Sequence, residues 1–308
     1  MSIIPLLKLT EKGKHLCPGM SGVYRIFTCP GDEHDFHLRA FYGKLMKDRI
    51  RREDILMKES VLEVKGLVKS YKELKALCGL DLDVKKGEIF GLLGPNGSGK
   101  TTAMNCILGL LNYDSGSIRV FGQEMTPSSY DIRRRIGVVP QNVAVSDELN
   151  VQENIDFFCG LYVDDKKERK LLTDRAIDFA GLSQFRKFRP KKLSGGLLRR
   201  LNIACGIAHR PELIFLDEPT VAVDPQSRSH ILDGIEKLRE DGATIIYTTH
   251  YMEEVEQICD RVAIIDAGKN IALGTVDELK RLAAHYDPDN PPTLNDIFLE
   301  ITGKQLRD

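Results

Sequence analysis

The sequence predicts an α/β fold with a parallel sheet core, a β-rich front end and a helical insert. Three observations point to it. Short apolar runs alternate with helical patterns over the second half of the chain, which is the wiring of a parallel α/β sheet. Gly94-Pro95-Asn96-Gly97-Ser98-Gly99-Lys100-Thr101 follows one such run, precedes a helical stretch and fills every slot of the GxxxxGK[ST] phosphate-binding loop. Between about Val151 and Leu182 the apolar period changes from strand-like to helical.

Taken in chain order, residues 1–56 differ in composition from the rest of the chain: Pro, Gly, His and Cys are frequent, and a charged run from Lys44 to Asp54 closes the segment, so a boundary is expected near Met57. Val61 to Val64 reads as a strand, and Ala76 to Val84 as a second whose alternating Leu80, Leu82 and Val84 leave one face wet. Glu88 to Leu93 is a short buried strand, and Thr101 to Leu111 is the helix after the loop. Gly116 to Gly122 and Ile136 to Val139 are further strands, the second ending at Pro140-Gln141. Ile155, Phe158 and Leu161, then Leu172, Ile177 and Leu182, mark two amphipathic helices around a charged turn, Asp164 to Arg169. Strands return at Glu212 to Leu216, Ala243 to Thr248 and Arg261 to Ile265, with helices at Pro225 to Leu238 and Met252 to Ile258 between them. Asp266-Ala267-Gly268-Lys269 reads as a hairpin turn, a helix begins at Val276, and a break containing prolines spans Asp287 to Pro292.

Composition narrows the function. At 308 residues and 42% hydrophobic content the chain builds a real core, and 44 basic against 45 acidic residues leave no global field to draw nucleic acid or an anionic membrane. Seven cysteines are scattered; those at 78, 106, 159, 205 and 259 form no CxxC pair and read as reduced cytosolic thiols. His15, Cys17, Cys29, His34 and His37 match no common zinc spacing. No window approaches the run of about 18 apolar residues that spans a bilayer.

The loop chemistry is specific. Glycines let backbone N–H groups approach phosphate oxygens, Lys100 adds a positive charge, and the Thr101 hydroxyl suits Mg2+. Leu213-Ile214-Phe215-Leu216-Asp217-Glu218 is an apolar strand ending in two carboxylates, placed where open α/β sheets bind ligands. Asp217 is the candidate to complete the metal site begun by Thr101, and Glu218 the candidate general base for an attacking water.

Leu193-Ser194-Gly195-Gly196-Leu197, ahead of that acidic strand, resembles the signature motif of ATP-binding cassette (ABC) ATPases. The resemblance covers about residues 61–280 and extends to further positions. Tyr71 resembles the aromatic that stacks on adenine, Gln141 the glutamine linking metal to helical subdomain, Val221-Ala222-Val223-Asp224 the D-loop and His250 the switch histidine. It implies a P-loop NTPase (RecA-like) core with an antiparallel β subdomain and an inserted α-helical subdomain at about 145–205, within a cassette of residues 57–280 and followed by a tail, 281–308. It implies ATP and Mg2+ as ligands: Tyr71, Gly94, Pro95, Asn96, Gly97, Ser98, Gly99, Lys100, Thr101 and Thr102 for the nucleotide; Thr101, Gln141 and Asp217 for the metal; Glu218, His250 and Gln141 for catalysis. Ser194, Gly195 and Gly196, at the start of a helix read as Leu198 to Ile207, would clamp the nucleotide of a second copy, so that ATP joins two cassettes head to tail.

Two departures stand out: Leu197 where glutamine is most usual, and the unusual spelling Ala222-Val223. Neither removes a catalytic group, and an active ATPase is expected. The resemblance implies a separate integral permease, a homodimer or a pairing with a second ABC subunit, no nucleic-acid partner, and a cytoplasmic place on the inner face of the membrane. The tail, with Pro291-Pro292-Thr293-Leu294 to Glu300, resembles that of ATPases serving ABC-2-type exporters of the drug-resistance and sodium-export group, and Leu294, Ile297, Phe298 and Ile301 have helical spacing. The alternative is a non-transport ABC ATPase acting on the ribosome or DNA, against which stand the single cassette and the absence of a long coiled coil or basic patch. Residues 1–56 admit three readings: a metal site on His15, Cys17, Cys29, His34 and His37, which are borderline ligand types without a common zinc spacing; an accessory region contacting the permease; or a segment preceding a native start at Met57, in which case it is dispensable for ATPase activity and poorly ordered.

Overall fold

The computed structural model describes residues 59–281, 283, 286–287 and 291–302; the readings of residues 1–56, including the His/Cys set, lie outside them. The apolar runs become strands of two sheets. β1 (Ser60–Tyr71) and β2 (Leu74–Lys85) pair antiparallel, and β4 (Ser115–Val120) pairs with β1 and with the short β5 (Gln123–Glu124), in the order β2-β1-β4-β5. The strand after the first core helix therefore returns to the front-end sheet. β1 and β2 run well past the apolar stretches that announce them, because cross-strand pairing out to Tyr71↔Leu74 carries polar residues that have no apolar alternation.

The second sheet has the order β10-β9-β3-β8-β7-β6. β3 (Ile89–Leu93), β6 (Ile136–Val139), β7 (Leu213–Asp217), β8 (Thr244–Thr249) and β9 (Arg261–Asp266) are parallel, and β10 (Lys269–Thr275) adds an antiparallel edge. Every residue of β3, β7 and β8 is buried, which is why these strands read as near-continuous runs rather than alternations.

The helices are α1 (Lys100–Ile107), α2 (Tyr130–Arg133), α3 (Val151–Gly160), α4 (Lys166–Phe179), α5 (Gly195–Ile207), α6 (Pro225–Glu240), α7 (Met252–Ile258), α8 (Val276–Arg281) and α9 (Leu294–Thr302). One face of the parallel sheet shares a core with α1 and the antiparallel sheet through Leu62, Leu80, Phe90, Ile107 and Phe215. The other packs Ile214 and Tyr247 against Ile231 and Ile235 of α6. α3, α4 and α5 enclose a core of their own around Ile155, Leu172, Ile177 and Leu201.

Several element boundaries differ from the sequence reading, three of them for visible local reasons. α1 stops at Ile107, short of Leu111, where Gly109 takes a left-handed φ of 67°. The charged run read as a turn to Arg169 belongs largely to α4, since the Asp165 carboxylate caps it by accepting from the N–H groups of Lys167 (3.0 Å) and Glu168 (2.8 Å). α5 begins at Gly195 rather than Leu198, capped by Ser194. In the tail Leu294, Ile297 and Phe298 are buried against α7 and α8 as their spacing suggests, whereas Ile301 is exposed.

Entry into the parallel sheet is held by a buried contact between Glu88 and Arg261. The Glu88 carboxylate accepts from the N–H of Lys85 at 2.6 Å and from Arg261 Nη1 at 3.2 Å. Burial pushes its carboxyl up to about 7, against the opposing charge of Arg261. A folded carboxyl that keeps its proton to about 7, where the unfolded one releases it near 4.5, gives stability present below pH 4.5 and lost as pH rises through 7. Glu88→Gln is expected to flatten that slope by about 3 kcal/mol, read as wild type minus variant in denaturant unfolding across the window. A difference that does not change with pH would rule it out.

Candidate nucleotide site

The buried strand β3 delivers Gly94, and the loop to Gly99 turns the chain into α1. Gly97 and Gly99 have φ of 80° and 109°, conformations that side chains resist, and a Cβ on Gly94 would meet the Ile265 carbonyl oxygen at 2.3 Å. The loop is braced from behind: Gly268 N–H donates to Ser98 O (2.9 Å), and Cys78 N–H donates to Gly268 O (2.8 Å). Asn96 and Gly97 remain exposed at its crest.

Three features make this loop an anion cradle. α1 has no side-chain cap, so the N–H groups of its first turn, through Lys100, Thr101 and Thr102, lack acceptors within the helix. Ser98 Oγ is buried without a hydrogen-bond partner. Lys100 is buried, its Nζ donating to Gly94 O (2.7 Å) and Pro95 O (3.2 Å), and burial draws its pKa down while Glu218 and Asp217 oppose the shift. A polyanion supplies what each of these groups lacks.

β7 carries the two carboxylates to the same place. Asp217 Oδ1 accepts from Thr248 Oγ1 at 2.6 Å. Glu218 has a left-handed φ of 45°, a strained state for this residue type, held by its N–H donating to Thr248 O and Oγ1, both at 3.1 Å. Its buried carboxylate is the focus of the site. Gln141 Nε2 donates to Oε2 at 2.9 Å, while His250 Nδ1 stands 3.4 Å and Lys100 Nζ 3.9 Å from Oε1.

The structure thus brings together Lys100, Gln141, Asp217, Glu218 and His250. Tyr71, Ser194, Gly195 and Gly196 stand outside this network. Tyr71 is exposed at the end of β1, with Lys69 Nζ 5.5 Å from its ring centroid. Ser194 and Gly195 are exposed at the start of α5, and Gly196 is buried where a Cβ would meet Ser227 Oγ of α6 at 2.2 Å. Both departures have packing reasons: Leu197 lies against the α3–α5 core and Val223 is buried in the α6 core, while Ala222 is left-handed at φ 58°.

Donor chemistry fits the expected metal as well. Among the described residues no three His, Cys, Asp or Glu side chains cluster as a metal cage. The hydroxyl of Thr101, the amide oxygen of Gln141 and the second oxygen of Asp217 make a sparse oxygen set, of the kind that shares Mg2+ with phosphate and water.

Several residues escaped the sequence reading. Thr248 holds the Asp217 carboxylate and the Glu218 main-chain N–H, and Glu254 Oε2 accepts from Tyr247 Oη (2.6 Å), Thr220 Oγ1 (2.9 Å) and Thr249 Oγ1 (3.1 Å), joining α7 to the strand before His250 and the loop after Glu218. The available signal was polar residues at the end of the buried run Thr244–Thr249. Asn202 and Asn154 tie the loop after Gln141 to α5 and α3 by accepting from Ala144 N–H (3.0 Å) and Ser146 N–H (2.8 Å).

The family model described as "ABC transporter" matches residues 77–221. The chain is 43% identical over 219 residues to the linearmycin resistance ATP-binding protein of Bacillus subtilis (strain 168), covering 71% of this chain and 70% of that one. It is 31% identical to the Nod factor export ATP-binding protein I of Burkholderia orbicola, over 82% of this chain and 100% of that protein. Its fold is similar to a dimeric, post-hydrolysis ATP-binding cassette bound to ADP and Pi, with a TM-score of 0.64 at 26% identity over 70% of this chain and 98% of the other.

Proposed function

The chain belongs to the ABC transporter family, and from this we infer that it is the ATP-hydrolysing subunit of an exporter, working as a head-to-tail pair of cassettes on a separate membrane permease. The observation that carries the reading is the single carboxylate of Glu218, approached by Lys100 from the phosphate loop, Gln141 from the loop toward the helical insert and His250 from the end of β8.

Chemically, the chain's own groups divide the work. The first turn of α1, Ser98 and Lys100 bind the phosphates, with Tyr71 offered to the adenine. Glu218, oriented by Gln141 and His250, takes the proton of the attacking water. Thr101, Gln141 and Asp217 would hold Mg2+, which supplies charge neutralisation at the phosphates when bound. Ser194, whose hydroxyl caps α5 by accepting from Leu197 N–H, and the exposed N-terminus of that helix suit the nucleotide of a second cassette.

A permease surface is offered by the same loop. Gln141 leads to Val143, and Phe157 on α3 and Leu161 at its C-terminal end are more than half exposed, at 54% and 56%. Apolar side chains exposed on an element tied to the hydrolytic loop through Asn154 suit helices of a membrane partner. The names of the relatives, one for linearmycin resistance and one for Nod factor export, favour outward transport. Purification from native membranes is expected to bring an integral membrane protein with the chain, on the cytoplasmic face. A ribosomal or DNA-bound partner in its place would move the assignment to a non-transport ATPase.

A further inference from the structure

Arg199 lies in the second turn of α5, five residues after Ser194, with its side chain buried. Nε donates to Pro219 O at 2.8 Å, Nη1 to Pro140 O at 3.1 Å and Gln141 O at 2.6 Å, and Nη2 to Asp217 O at 3.0 Å and Glu218 O at 2.6 Å. A guanidinium has five N–H donors. All are therefore spent on main-chain carbonyls, and these belong to the two segments that carry the hydrolytic groups Gln141 and Glu218.

Burying a cation is costly unless its surroundings answer it. Here burial draws the Arg199 pKa down, with the charges of Asp217, Tyr247 and Glu218 opposing the shift, and none of its hydrogen bonds goes to a carboxylate. The group grips backbone, not a counter-charge. It also holds the carbonyl of the one hydrolytic residue with strained backbone: Glu218 keeps φ 45° between Thr248 on its N–H and Arg199 on its carbonyl. The neighbouring Arg200 points elsewhere, with Nη1 donating to Ala180 O.

We propose that Arg199 is a positioning residue that locks α5 to the Gln141 and Glu218 segments, so that engagement of Ser194 with a nucleotide on a second cassette sets the hydrolytic groups at the nucleotide held by this one. The proposal rests on the roles assigned to Glu218 and Ser194 in the proposed function. Lysine carries the charge but only three donors, and methionine carries neither.

The test measures ATP turnover and, with Mg2+ chelated, ATP affinity for Arg199→Met and Arg199→Lys in the full chain. Arg199→Met is expected to lower kcat about 100-fold with Kd for ATP within about threefold, and Arg199→Lys to recover about tenfold of the loss. A kcat within about twofold of wild type, or kcat and affinity falling together as a general loss of structure would produce, overturns the proposal. Should Arg199→Met not fold, Arg199→Lys decides: an unchanged kcat overturns it and a loss at unchanged affinity supports it. Ser194→Ala combined with Arg199→Lys is expected to cost about tenfold less than the product of the single losses, and a multiplicative result overturns the link to α5. Glu218→Gln run alongside separates the failures, since turnover there removes the site reading itself, whereas a dead Glu218→Gln with normal Arg199 variants removes only the role of Arg199.

Discussion

Glu218→Gln is expected to lower kcat for ATP hydrolysis by about 10³-fold while ATP still binds, the range lost when a positioned general base is removed. The substitution is close to isosteric, and an amide oxygen can still accept from Gln141 Nε2, now at 2.9 Å from the carboxylate, so the surrounding geometry is retained. What disappears is the capacity to accept a proton from water. In the proposed cycle hydrolysis is what opens the pair, so the variant should accumulate as an ATP-bound dimer, visible as a doubled mass in size exclusion with ATP and as the monomer without it. Turnover near the wild-type rate would sink the assignment of Glu218. A dead variant that stays monomeric would keep the base and reject the head-to-tail pairing.

Lys100→Ala is expected to weaken ATP binding about 100-fold, since truncating one partner of a buried charge pair costs about 2–5 kcal/mol. Two effects add in the same direction. The phosphates lose their cation, and the carbonyls of Gly94 and Pro95, which Lys100 Nζ holds at 2.7 and 3.2 Å, lose the donor that shapes the loop. Titration with a fluorescent ATP analogue reads the loss. A far-ultraviolet circular dichroism spectrum matching wild type shows that the sheet around β3 is intact. Unchanged affinity would mean that the uncapped turn of α1 and Ser98 bind the phosphates without the lysine, and the loop reading would have to be redrawn around backbone donors alone.

Local patterns make much of this legible in the sequence. The phosphate loop depends on glycines and one lysine within eight residues, the acidic pair on the end of one apolar run, and the buried strands on continuous hydrophobicity, so each is visible in a short window. The joint appearance of Gln141, Glu218 and His250 around one carboxylate is anticipated only through family resemblance, because 77 and 32 positions separate Gln141 and His250 from Glu218 (218 − 141 and 250 − 218). Arg199, Thr248 and Glu254 leave no such trace. Their roles are hydrogen bonds between distant segments, and an arginine in a helix pattern, or threonine and glutamate beside a buried strand, looks the same whether it is solvated or satisfied inside. The lengths of β1 and β2 are hidden for a related reason: their polar halves are fixed by partners across the sheet and not by their own periodicity.

The turn at Gly268 has a bearing on how such a protein can be recombined. It looks like punctuation between β9 and β10, yet it lies between Ser98 of the phosphate loop and Cys78 of the antiparallel sheet, and a Cβ there would sit 2.4 Å from the Ala76 carbonyl oxygen. The three segments come from positions 76–78, 98 and 268, so a chimera that exchanges the front-end sheet between relatives at a junction before β3 leaves two-thirds of this joint behind. Exchangeable units in this cassette are drawn through space rather than along the chain, and a graft that respects the joint carries the Gly268 turn together with the strand it fastens.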